Sequence, residues 1–166
     1  MANEQSGIKP DRVEEHAQLM FVAGLSEEYP FGEPMNPSGQ WQELGRYLGR
    51  IPGQKGNIAY GICFDMEDGT GIKYLCGVEV SGDVTDSELP DRFELRQLPA
   101  FTYAVFKHNG HVTEIPQTCD VIWKEWIPIS GCSKPDGANF FFERYGDGFD
   151  PQKGIGDIEI WVPVEY

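Results

Sequence analysis

The last strand-length segment of the chain alternates strictly. Ile158, Ile160, Val162 and Val164 fall on one side, and Asp157, Glu159, Trp161 and Pro163 on the other. A period of two marks a strand with one buried face. The same period runs through Ile58, Tyr60, Ile62 and Phe64, whose side chains read first as core. Two other segments follow a helical period. Trp41, Leu44 and Leu48 recur at i, i+3 and i+7, and Cys119, Ile122, Trp123 and Trp126 form a second apolar stripe, with Trp123 placed in the helix core. Pro116 suits the first turn of the second helix, and Pro128 is expected to stop it.

The pattern occurs twice. Residues 19–24 align with 102–107 at an offset of 83, and Trp41-Gln42-Glu43-Leu44 aligns with Trp123-Lys124-Glu125-Trp126 at 82. Residues 57–60 align with 139–142 at 82, and 74–78 with 158–162 at 84. Four elements in one order at one spacing predict a repeated unit of strand, helix, strand, strand. Each unit has too little apolar surface to stand alone, so the two must join sheets and pack their helices on one face. The expectation is an α+β fold: two pseudo-twofold-related units forming a mostly antiparallel sheet, with two helices on one face and a central ligand groove. The repeat halves fall at about 13–80 and 93–166 of a single domain over 13–166, with a polar connection at 81–90 and a flexible tail at 1–12. Asp68-Gly69 reads as a hairpin turn.

Composition narrows the function classes. A chain of 166 residues, 40% hydrophobic, builds one core without disulfide or metal staples. Cys63, Cys76, Cys119 and Cys132 form no zinc-finger spacing and read as reduced, mostly buried thiols, a disulfide framework being the alternative. Lys and Arg number 13 against 27 Asp and Glu, a net charge of −14 that repels phosphate backbones and anionic lipids. Neither direct nucleic-acid binding nor membrane association is expected. The start of the chain, polar through Arg12, and the lack of a run of roughly 20 apolar residues point to the cytoplasm.

Familiar catalytic signatures are missing: there is no G-x-S-x-G elbow, phosphate loop, H-E-x-x-H or dinucleotide fingerprint. His108 and His111 flank an Asn-Gly turn without a third ligand, and Asp65 and Glu67 do not complete a calcium loop, so neither a metal nor a cofactor is expected. The face of the last strand that carries Glu159 and Trp161 is the more informative place. In a sheet related by a twofold it looks toward the central groove, and a carboxylate beside an indole suits a flat organic cation. The competing reading makes Glu159 a solvated residue on an open sheet face. In Phe140-Phe141-Phe142 the middle ring opposes the outer two, which leaves aromatic surface on one side.

Several motifs, taken in order, resemble one family. They are Leu98-Pro99-Ala100, Tyr103-Ala104-Val105-Phe106, Gly110, the helix end Trp126-Ile127-Pro128-Ile129-Ser130-Gly131, Phe142-Glu143-Arg144-Tyr145, Phe149-Asp150-Pro151, and residues 158–164. Together they are similar to the gyrase-inhibitor-like small-molecule-binding domains, also called AraC-type effector-binding domains, over about residues 92–166; the first half resembles them in organisation. The resemblance implies a free-standing bacterial member whose groove takes bulky, hydrophobic, cationic aromatic compounds, as a drug- or toxin-sequestering protein does. It implies Glu159 as the ligand-facing glutamate and Trp126 as a groove wall, with Trp161 and Tyr60 as further carry-overs; the aromatic run adds Phe141 and Phe142, and the same strand Tyr145, to the expected ligand set. Two alternatives stay open. One is a hydrolase of strained-ring cytotoxic compounds, with Glu159 activating water and Tyr60 or Tyr145 polarising the leaving group. The other is an acidic protein that occupies a protein partner such as a topoisomerase. The ligand domain takes up the whole chain, so no DNA-reading module is expected within it.

Overall fold

Eight strands and two helical segments, with two short 3-10 turns (Asp86–Glu88 and Val112–Glu114), are found in the computed structural model of the protein, which describes residues 8–15, 17–33 and 36–166. In chain order they are β1 (Arg12–Glu14), β2 (Met20–Pro30), α1 (Ser38–Gly45), β3 (Gln54–Asp65), β4 (Gly71–Val80), β5 (Phe93–Leu98), β6 (Thr102–His108), α2 (Ile115–Val121), a π-helical turn (Ile122–Trp126) leading into α3 (Ile127–Ser130), β7 (Phe140–Tyr145) and β8 (Ile158–Val164). All strands pair antiparallel in one sheet of order β1-β6-β8-β7-β3-β4-β2-β5.

That order contains the twofold. The halves contribute β6-β8-β7 and β3-β4-β2, and they meet at β7 and β3, the equivalent third elements of the two repeats. At this seam Gly61 lies directly opposite Glu143, and the two are 82 residues apart. The strands β1 and β5, which precede the halves, are exchanged: β1 adds to β6 of the second half and β5 to β2 of the first. The unit is therefore strand, strand, helix, strand, strand. Arg12 belongs to β1 and not to a tail; of the expected tail, residues 1–7 lie outside the described residues.

Pleating sorts the side chains into two cores. Toward the helices point Ala23, Leu25, Cys63, Tyr74, Cys76 and Val78 from the first half, and Ala104, Phe106, Ile158, Ile160 and Val162 from the second. On the other face Val22, Tyr60, Ile62, Leu75, Val105 and Phe142 form a second buried cluster, so that face is not simply solvated. Buried polar groups seat both helices. Gln40 of α1 donates Nε2 to the carbonyls of Leu25 and Tyr74, both at 2.8 Å, which ties the helix to β2 and β4. His108 of β6 hydrogen-bonds the Thr118 hydroxyl at 2.8 Å and the His111 carbonyl at 2.7 Å, which does the same for α2.

Three local expectations change. Leu48 is 46% exposed, because α1 ends at Gly45 and the chain turns before Leu48 can join the stripe. Trp123 is 39% exposed and is not core. Pro128 does not stop the second helix. Proline offers no N–H to the carbonyl four residues back and crowds it; here the preceding turn widens, Ile127 N–H bonding to the Ile122 carbonyl, and a further helical turn follows until Gly131 at φ 78°. The Asp68-Gly69 turn forms as expected between β3 and β4, with Gly69 at φ 74° and its N–H on the Met66 carbonyl. The four cysteines are free thiols, two of them buried. Among the described residues no helix is long and apolar enough to cross a membrane.

Candidate functional site

The seam between the halves holds the most unusual group in the protein. Glu143 is 7% exposed and points to the helix side of the sheet. Its neighbour across the strand pair has no side chain to compete for the space: a Cβ on Gly61 would lie 2.1 Å from the Tyr74 hydroxyl and 2.6 Å from Glu143 Oε1. Tyr74 from the first half and Tyr145 from the second both donate to Oε1, at 2.8 and 2.7 Å. Among the described residues no donor reaches Oε2, and no Lys, Arg or His pairs with the carboxylate. Burial pushes its pKa above the ordinary carboxylate range, and the two tyrosine hydroxyls only partly oppose that rise. Burial also pushes both tyrosines well above the usual phenol range, with the neighbouring Glu143 adding to it.

Further aromatic side chains stand on the same face of the sheet. Trp41 on α1 meets the Tyr145 ring edge-on at 5.3 Å and donates Nε1 to the Tyr74 hydroxyl at 3.2 Å. Trp123, on the π-helical turn, packs against Phe141 at 4.8 Å. Trp41 and Trp123 are repeat equivalents, 82 residues apart, so each half contributes one indole on the helix side of the sheet. A buried carboxylate without a cation carries a desolvation cost that a positively charged ligand would relieve. Aromatic faces around it add cation–π attraction. The widened turn that carries Trp123 is the kind of helix irregularity that often sits at functional sites.

Glu159, the expected counter-charge, stands in a different environment on the opposite face. Arg12 donates Nη1 and Nη2 to its two oxygens at 2.8 and 3.2 Å, Trp161 donates Nε1 at 3.0 Å, and Arg144 lies at 3.7 Å. Burial acts to raise the Glu159 pKa, but the hydrogen bonds from Arg12 and Trp161 and the charges of Arg12 and Arg144 outweigh it and hold the carboxyl below its ordinary range. Its charge is already matched, so a ligand cation would have to displace an arginine. Beside this cluster lies a cavity of about 200 Å³ whose lining includes Tyr60, Tyr103, Phe142, Trp161, Arg144 and Glu79.

The seven residues expected to form one groove therefore divide between two faces. Glu159, Trp161, Tyr60 and Phe142 come together on the open face. Phe141 and Tyr145 point to the helices, and Trp126, on the π-helical turn, faces the sheet from that side, buried against Phe106 at 5.1 Å. The strand register forces this division, since Phe141 and Phe142 are successive residues on one strand. Glu143, Tyr74 and Trp41 were missed. The signal for Glu143 lay in the repeat, where the offset of 82 sets a glycine under a glutamate at the centre of a symmetric sheet.

Comparison with known proteins agrees with this architecture. The profile of the GyrI-like small molecule binding domain matches residues 14–165. The chain is 28% identical over 109 residues to the transcriptional regulator BrlR of Pseudomonas aeruginosa, covering 64% of this chain and 38% of that protein. It is 35% identical over 89 residues to a DNA gyrase inhibitor of Erwinia billingiae, covering 51% of this chain and 55% of the other. The chain thus spans between about two fifths and about half of the length of these relatives. Among solved structures, SAV2435 bound to tetraphenylphosphonium superposes with a TM-score of 0.66 at 21% identity, over 93% of both chains. One relative is a transcriptional regulator, so net charge alone does not exclude a nucleic-acid role for proteins that carry this domain.

Proposed function

Since the chain belongs to the family of GyrI-like small molecule binding domains, we propose that it captures bulky, hydrophobic aromatic cations in the groove between its helices, with Glu143 as the counter-charge. The observation that carries this reading is the buried carboxylate with an unengaged oxygen and no cationic partner among the described residues. Trp41, Trp123 and Phe141 supply flat walls, and Tyr74 and Tyr145 hold the carboxylate in place. The cationic aromatic ligand of SAV2435, a protein of the same fold, is of the class this groove suits.

The test is a tryptophan-fluorescence titration of wild type and Glu143→Gln with tetraphenylphosphonium and with its neutral analogue tetraphenylmethane derivatised for solubility. Moderate salt suppresses nonspecific attraction to the acidic surface. Saturable quenching by the cation, weakened at least about tenfold (about 1.4 kcal/mol) in Glu143→Gln, is expected. Equal affinity for cation and neutral analogue, or an unaffected variant, would overturn the assignment. A Glu159→Gln variant that retains cation binding is the matching expectation for the open face. The hydrolase alternative transfers to the same carboxylate, whose Oε2 is unengaged and would accept a proton from water. Time-dependent loss of a strained-ring substrate that stops in Glu143→Gln would establish it.

A further inference from the structure

The cavity on the open face is separated from the Glu143 groove by the sheet itself, and its chemistry differs. Four aromatic rings, Tyr60, Tyr103, Phe142 and Trp161, line it together with aliphatic side chains of β2, β5 and the segment before β2, and Trp161 stacks on Phe142 at 5.3 Å and 19°. Two opposite charges also line it, Arg144 and Glu79. Cross-strand pairing orders them: Arg144 on β7 pairs with Tyr60 on β3, Tyr60 pairs with Gly77 on β4, and Glu79 stands two residues along β4 on the same face. Tyr60 therefore lies between a guanidinium and a carboxylate.

Arg144 hydrogen-bonds the Tyr60 hydroxyl and lies near Glu159, but among the described residues neither it nor Glu79 has an ion-pair partner closer than 3.4 Å. Arg144 is 3.7 Å from Glu159, which already receives both Arg12 nitrogens and the Trp161 indole at shorter range. Among the described residues Glu79 forms one ion pair, with Lys55 at 3.4 Å, an exposed pair of the kind that contributes little. We infer that this cavity is a second, independent small-molecule site, built for an aromatic zwitterion of the size of a free aromatic α-amino acid. The carboxylate of the ligand would meet Arg144, its ammonium would meet Glu79, and its ring would lie among the four aromatic side chains. A single positive charge would be repelled by Arg144 and a single negative charge by Glu79, so the paired charges select against both monopolar classes. The volume of about 200 Å³ is below the roughly 300–1,000 Å³ of drug-sized pockets, which limits the occupant to one small ring system.

Isothermal titration calorimetry tests this with L-tryptophan, indole-3-propionate as the anion-only analogue and tryptamine as the cation-only analogue. The expected order places L-tryptophan at least about tenfold tighter than either analogue. Arg144→Gln should weaken L-tryptophan and indole-3-propionate alike, whereas Glu79→Gln should weaken L-tryptophan and strengthen indole-3-propionate. Glu79 is partly exposed, so its variant tests the site even if Arg144→Gln folds poorly. Glu143→Gln should leave L-tryptophan binding unchanged, which separates this site from the cation groove. No heat at ligand concentrations up to about 10 mM, tryptamine binding as well as L-tryptophan, or unchanged affinity in both Arg144→Gln and Glu79→Gln would each overturn the proposal.

Discussion

Replacing Gly61 with alanine adds one methyl group at the point where the halves meet. The backbone there is not in the left-handed region, so the penalty is purely steric. The new Cβ would lie 2.1 Å from the Tyr74 hydroxyl, 2.6 Å from Glu143 Oε1 and 2.8 Å from the Tyr74 ring carbon that bears the hydroxyl. None of these distances is tolerable, and both side chains are held by close packing. Tyr74 must withdraw, which costs the hydroxyl its hydrogen bond to a buried carboxylate, or the strands must separate at β3 and β7. A buried hydroxyl left without its acceptor costs roughly 1–3 kcal/mol and overpacking roughly 1–3, so by either route a destabilisation of about 1–3 kcal/mol is expected. Gly39 is the control: a Cβ there meets nothing within 4 Å and lies in α1, where alanine is favoured by about 0.5–1 kcal/mol. Urea denaturation of the two variants measures both changes, and titration with tetraphenylphosphonium should show weakened binding only in Gly61→Ala. A Gly61→Ala protein within about 0.5 kcal/mol of wild type and with unchanged cation affinity would refute the claim that this glycine reserves space for the carboxylate.

Glu143 holds its proton more tightly when folded than when unfolded. Its contribution to stability is therefore full below the ordinary carboxylate pKa and falls as pH rises through the raised value; the wild-type urea midpoint should show this slope and Glu143→Gln should lack it. Cation affinity should rise over the same window, because only the ionised carboxylate attracts the ligand. Glu159 behaves in the opposite sense, since its folded pKa is lowered: Arg12→Ala should cost about 1–2 kcal/mol at pH 7, discounted for the exposure of Arg12, and the difference should vanish as pH falls through the lowered value. Burial pushes the thiols of Cys76 and Cys119 up to about 12 and that of Cys63 well above its ordinary value; mass spectrometry should find all three unmodified by iodoacetamide under conditions that fully alkylate the unfolded chain.

The repeat was legible because two halves that share one sheet must place apolar residues at the same spacing, and that spacing survives when identity is low. The strands β1 and β5 were not, since Arg12–Glu14 is too short to show a period and Phe93–Leu98 carries charges on an edge, where only one flank is paired. The terminal alternation placed Glu159 and Trp161 on one face correctly. What it could not contain was the cross-strand register: Arg12 reaches Glu159 over a sequence separation of 147, so the carboxylate looked free. The π-helical turn was hidden for a related reason. Proline ordinarily ends a helix, whereas a one-residue widening of the preceding turn accommodates it here and leaves Trp123 half exposed.

The same twofold that stabilises the fold restricts what the site can be. Any residue on β3 opposite Glu143 is its symmetry equivalent, and a second carboxylate there would set two like charges within a few ångströms in a buried place, driving one of them to protonate. Glycine on one side lets a single charge occupy the seam. The groups around it are shared between the repeats: Tyr74 and Trp41 come from the first half, Tyr145, Phe141 and Trp123 from the second. Neither half alone therefore holds the charge, both hydroxyl donors and both indoles. A ligand that binds here contacts both units and favours their association, because whatever binds the joined state and not the separated one shifts the equilibrium toward it. The broken symmetry at Gly61 and Glu143 thus places one carboxylate at a seam lined by both halves, which is the arrangement the proposed binding role requires.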